Sequence, residues 1–167
     1  TKPCAEVMIT QVYHSATEGT VIEVTNIDDT LTATANSITL ALYANKSGDQ
    51  TGVTPDATYT ISGALTTGQS ALIKTGSLAG VTIIQSPVQE INASITAFSG
   101  GDDILVITSS SDNKAYANRV DIIESFSDNT SYVRIDETTA PNTAYTASEW
   151  VAFVNDALDP YRVLASG

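Results

Sequence analysis

The chain has 167 residues, of which 42% are hydrophobic, enough for one domain with a real core. Seven basic against 19 acidic side chains leave a net charge of −12, a field that repels phosphate backbones and anionic lipid and argues against nucleic acid as a direct partner. No apolar stretch nears the ~20 residues of a membrane helix, so no membrane insertion is expected, and Thr1-Lys2-Pro3-Cys4 lacks an apolar h-region, so that if the protein is exported the chain reads as its mature form.

In chain order, residues 1–5 read as a flexible lead. "EVMITQVY" (6–13) is the first strand candidate. "GTVIEVTN" (19–26) alternates cleanly, with Ile22 and Val24 on one face and Val21, Glu23 and Thr25 on the other. "SITLALYA" (37–44), "TYTISG" (58–63), "SALIKT" (70–75) and "VTII" (81–84) follow, separated by Gly, Asn, Asp and Pro. "DILVIT" (103–108) is apolar at every other position on both faces, which predicts a central strand covered on both sides. "RVDIIES" (119–125) and "YVRID" (132–136) complete a set of about nine short strands. "TASE" (146–149) has capping-box spacing, with Thr146 as cap and Glu149 at the third position, so a helical turn is expected before a strand through "WVAFV". "NDALDPYR" reads as a second short turn, and residues 162–167 as a tail. Trp150 should be buried together with Leu105, Ile107, Ile22, Val24 and Leu40. The fold class expected is all-β, a sandwich with one or two helical turns near the C-terminus, in a single domain over 1–167.

Candidate chemistry is sparse. Asp102 and Asp103 in "FSGGDDILVI" stand next to each other at a strand start, so their side chains point to opposite faces and cannot share a proton. The stretch reads as a turn. Calcium needs six or more oxygens from converging loops, and Asp28, Asp29, Asp102 and Asp103 are its candidates, without EF-hand spacing. His14 is the only histidine and Cys4 the only cysteine, too few for a zinc site, and no nucleophile elbow marks a serine triad around His14, which is read as a solvated loop residue. Asp121 and Arg134, on candidate neighbouring strands, are expected to form a structural ion pair. Asn45, Asn92 and Asn129 carry N-x-S/T sequons, and Thr30 in Asp29-Thr30-Leu31 matches a short O-glycosylation motif of bacterial surface proteins.

Six segments in order resemble the bacterial lamin tail domain. "PCAEVMITQVY" leading to "GTVIEVTN" resembles its opening strands, with Glu23 and Asn26 in place. "ISGALTTGQSALI" resembles its glycine turn through Gly63, Leu65, Gly68 and Gln69, and "FSGGDDILVI" its next segment through Phe98, Gly101, Asp102 and Asp103. "NRVDII" supplies the aspartate at Asp121, "SYVRID" the arginine at Arg134, and "PNTAYTASEW" the closing Glu149 and Trp150. Thr25 stands where an aromatic is usual, and "RVDIIES" lacks the common glycine after its aspartate. The resemblance implies an immunoglobulin-like β-sandwich without catalytic residues of its own. In bacteria such domains look like accessory modules of secreted enzymes and surface proteins, or stand alone in exported chains.

The expectation is therefore a noncatalytic secreted or cell-surface protein, working in adhesion or assembly with other chains, itself among them. The two alternatives are a self-assembling subunit of an extracellular filament, which a mature-looking start and an end just past the sandwich fit, and a targeting module of a secreted hydrolase. No cofactor is expected, calcium being the only candidate. In the assembly reading residues 1–13 form an edge strand with a mobile lead, and Cys4, Val7 and Ile9 are the contact candidates.

Overall fold

A computed structural model describes residues 5–15, 19–75, 89–92, 102–108, 116–125, 128, 130–135 and 137–154. They form an all-β sandwich. Ten strands are present among the described residues: β1 Val7–Ser15, β2 Gly19–Asn26, β3 Ile38–Tyr43, β4 Ala57–Ile61, β5 Ser70–Thr75, β6 Gln89–Asn92, β7 Ile104–Thr108, β8 Arg119–Glu124, β9 Thr130–Arg134 and β10 Trp150–Val154. Short 3₁₀ turns at Tyr116–Asn118 and Ala147–Glu149 precede β8 and β10. Eight of the nine expected strands coincide with these within a few residues, and β10 fulfils the expectation for "WVAFV". The candidate at 81–84 lies outside the described residues, and β6 was not foreseen.

One sheet has the order β10-β9-β1-β2-β5-β6 and the other β4-β3-β7-β8. All pairings are antiparallel except β5 with β6. The tight "LTTGQ" turn before β5 is held by Gly68 in the left-handed region at φ 80°, by Gly68 N–H donating to Asn26 O, and by an Ala33–Leu65 bridge.

The core lies between the sheets. Ile22, Val24, Leu40, Leu105, Ile107 and Trp150 all join it, as their periodicity and size demanded. β7 is buried at every position: Leu105 and Ile107 face this core, while Ile104 and Val106 pack with Tyr43, Tyr116 and Ile122 on the opposite face. The alternation in β2 is also real, yet its polar face is not solvated. Val21, Glu23 and Thr25 are buried, with Glu23 Oε1 accepting from Thr10 Oγ1 at 2.6 Å and Gln11 Nε2 at 3.3 Å.

One expectation fails here. β1 is not an edge strand: it pairs with β2 along its length and with β9 over Gln11–His14. Val7 and Ile9 are 2% and 0% exposed and belong to the core, so they are not available to a second chain. β9 covers the side of β1 that sequence reasoning left open, from Gln11 to His14. Cys4 lies outside the described residues.

Candidate functional site

The most constrained polar site joins the two sheets. Where β8 pairs with β7 the register shifts between Ile107 and Thr108 of β7, and Asp121 stands opposite the core residue Ile107. A carboxylate there must be fully hydrogen-bonded to be tolerated. Asp121 accepts from Ile9 N–H at 2.8 Å, Arg134 Nη1 at 2.8 Å, Arg134 Nη2 at 3.1 Å and Asn142 N–H at 3.0 Å. Arg134 also donates Nη1 to Ile9 O at 2.9 Å and Nη2 to Glu149 Oε1 at 2.7 Å, and its guanidinium lies 4.5 Å over the Trp150 ring. The expected ion pair exists, but its strands are not neighbours. β8 and β9 belong to different sheets, so the pair ties the sandwich together.

This arrangement also solves a backbone problem. β9 accompanies β1 only from Gln11 onward, which leaves the Ile9 N–H and C=O without a ladder partner on that side. Asp121 and Arg134 take the place of the missing strand. Glu149 and Asn142 are the members that sequence reasoning missed. Glu149 was read as the partner of a capping box, but Thr146 makes no side-chain cap, and Glu149 Oε2 instead accepts from Asn142 Nδ2 at 3.0 Å.

Burial pushes the Glu149 carboxyl up, but the hydrogen bonds from Arg134 and Asn142 and the Arg134 charge outweigh it and hold the group below its ordinary value. A carboxyl lowered by folding adds stability above its unfolded value, and that stability is lost as pH falls through the folded one. The melting temperature is therefore expected to drop as pH falls below about 4.3, and Glu149→Gln should flatten that drop. Parallel pH profiles for the two proteins would count against this account.

The other sequence candidates are dispersed. Asp28 is buried and already engaged: Oδ2 accepts from Glu6 N–H, and Oδ1 from the N–H groups of Thr30 and Leu31. Asp29 is exposed. Thr30 is exposed, and its hydroxyl donates to Asp28 Oδ1 at 3.2 Å. Asp102 is exposed, whereas Asp103 is buried and accepts from Asn45 N–H at 3.0 Å, so the two neighbours do separate as a turn before β7. Among the described residues no three His, Cys, Asp or Glu side chains gather as a metal ion would need. His14 sits in β1 rather than a loop, with Nδ1 at 2.7 Å from Thr20 Oγ1 and Nε2 at 3.4 Å from Asp128. Burial lowers its pKa, although Asp128 and Asp103 pull the other way. Thr20 is buried, so this trio does not present a hydroxyl to a substrate.

The ionic network supports a different surface. Among the described residues β10 is the end strand of the six-stranded sheet, and it starts at Trp150, opposite Arg134. Trp150 turns into the core, while Val151 is 44% exposed and Ala152 is exposed. No charged residue and no proline interrupts "WVAFV". No family model, curated protein or solved structure matches this chain.

Proposed function

We propose that this protein is a noncatalytic, lamin-tail-like contact module of the cell exterior, and that it assembles with further copies of itself through sheet edges. The observation that carries this reading is the β10 edge: an uncharged, uninterrupted strand with an exposed Val151 at the rim of a rigid sheet. In a chain of net charge −12, two copies meet most easily where neither presents a charge. Of the end strands, β8 carries Arg119, Asp121 and Glu124, and β6 carries Glu90, whereas β10 and β4 carry none. Asp121 places β8 beside β1 and β9, so β10 and β8 share a flank and β4 ends the other sheet on the opposite one. Pairing β10 of one copy with β4 of the next is heterologous and extends without closing.

Light scattering and negative-stain microscopy across a concentration and salt series test this. The expected result is association that strengthens with salt, as repulsion is screened, and that Val151→Lys abolishes while leaving the melting temperature within a few degrees. A monodisperse monomer at every concentration and salt would overturn the reading.

A further inference from the structure

A cleft of about 360 Å³ opens on the outer face of the four-stranded sheet. The β3–β4 loop gives it Asp49 and Thr51, the start and end of β8 give it Arg119 and Glu124, and Tyr116 and Tyr145 line it. Tyr116 packs edge-on against the buried Tyr43, with ring centroids 5.9 Å apart, so the aromatic wall is anchored in the second apolar cluster.

Arg119 is fixed in place. Its Nε donates to Thr143 O at 2.7 Å, its Nη1 donates to Tyr116 O at 3.1 Å, and its guanidinium stacks 4.0 Å over the Tyr116 ring. A guanidinium held this way loses little freedom when it donates its remaining N–H groups to a ligand. Asp49 Oδ1 is occupied by the N–H and hydroxyl of Thr51, which orients the carboxylate and leaves Oδ2 as an acceptor. Glu124, half-buried at the end of β8, supplies a second acceptor.

We propose that this cleft binds a neutral oligosaccharide. The charges select against the alternatives. A cationic ligand would seek the face of Tyr116, but the chain's own guanidinium already covers it. An anionic ligand would meet two carboxylates and a strongly acidic protein. A polyhydroxylated ring suits the remaining chemistry: its hydroxyls both donate to Asp49 and Glu124 and accept from Arg119, and its C–H face packs on the half-buried Tyr145, the lining ring that Arg119 does not cover. The volume falls near the lower end of the ~300–1,000 Å³ range of small-molecule sites, enough for a short stretch of sugar rather than a long chain.

Affinity electrophoresis of the full chain tests this, in native gels containing dextran, laminarin, xyloglucan or galactomannan, with heparin, polygalacturonate and chitosan as charged controls. At least one neutral polysaccharide should retard the protein, and high salt should change that retardation little. Asp49→Asn and Arg119→Gln should each weaken it about ten- to a hundredfold, the effect of losing a hydrogen bond to a charged group. Asp49 lies in an exposed loop, and asparagine can keep the turn, so this variant stays informative even if Arg119→Gln unfolds. Retardation by none of the neutral polymers would overturn the proposal. So would retardation by charged polymers alone, or retardation unaffected by Asp49→Asn.

Discussion

Asp121→Ala is expected to destabilise the protein by about 3–5 kcal/mol, the cost of leaving a buried charge without its partner. In a domain of this size that lowers the melting temperature by roughly 6–20 °C. The magnitude follows from what is stranded. Arg134 is buried and would keep Glu149 as its only carboxylate, and the N–H groups of Ile9 and Asn142 would lose their acceptor. Arg134→Met should cost a similar amount, since it strands the Asp121 carboxylate and the Ile9 carbonyl together. The double variant Asp121→Leu/Arg134→Met should cost clearly less than the sum of the single changes, because removing both charges leaves neither uncompensated. Urea unfolding of the four proteins measures this. Additive effects, or a loss below about 1 kcal/mol for Asp121→Ala, would mean the pair acts no more strongly than an exposed one.

Trp150→Ala should cost about 3–5 kcal/mol as well, for a different reason: an emptied site in the core between the sheets. The same side chain supports the Arg134 guanidinium at 4.5 Å, so its loss also loosens the ionic network. The indole Nε1–H is buried and has no acceptor among the described residues. Trp150→Phe therefore gives up no hydrogen bond and keeps an aromatic face under Arg134, and should cost less than about 1.5 kcal/mol. Thermal and urea melts of both variants decide the matter. Equal losses for alanine and phenylalanine would show that the indole's full size, rather than an aromatic face, holds this corner of the sandwich.

Much of this was legible before any coordinates. Period-two alternation is a property of a few consecutive residues, so β2, β3, β5 and β7 could be drawn close to their true limits from "GTVIEVTN", "SITLALYA", "SALIKT" and "DILVIT". Trp150 announced its own burial by size, and Asp102 and Asp103 their separation by adjacency. The pairing of Asp121 with Arg134 was also readable, since neither charge is tolerable alone in a sheet interior.

Other features had no local signature. The sequence of Glu149 and Thr146 matched a capping box, yet Glu149 bonds Arg134 and Asn142 because the tertiary fold brings the Arg134 guanidinium within 2.7 Å. His14 read as a loop residue because nothing nearby in sequence announces that β1 continues to Ser15.

By itself, then, the sequence determined that this is a β-protein, where most of its strands run and which side chains fill the core, because alternation and side-chain volume are carried by each segment alone. Only the tertiary structure decided which strands are interior and which are edges. Val7 and Ile9 looked like an exposed seam, but they face the core between the sheets, while β9, more than a hundred residues later, pairs with β1 from Gln11 onward and leaves β10 at the rim instead. Strand order depends on contacts between distant segments of nearly equal β-propensity, and the choice among them is made by the summed burial and hydrogen bonding of the whole sheet, which no single stretch of sequence encodes.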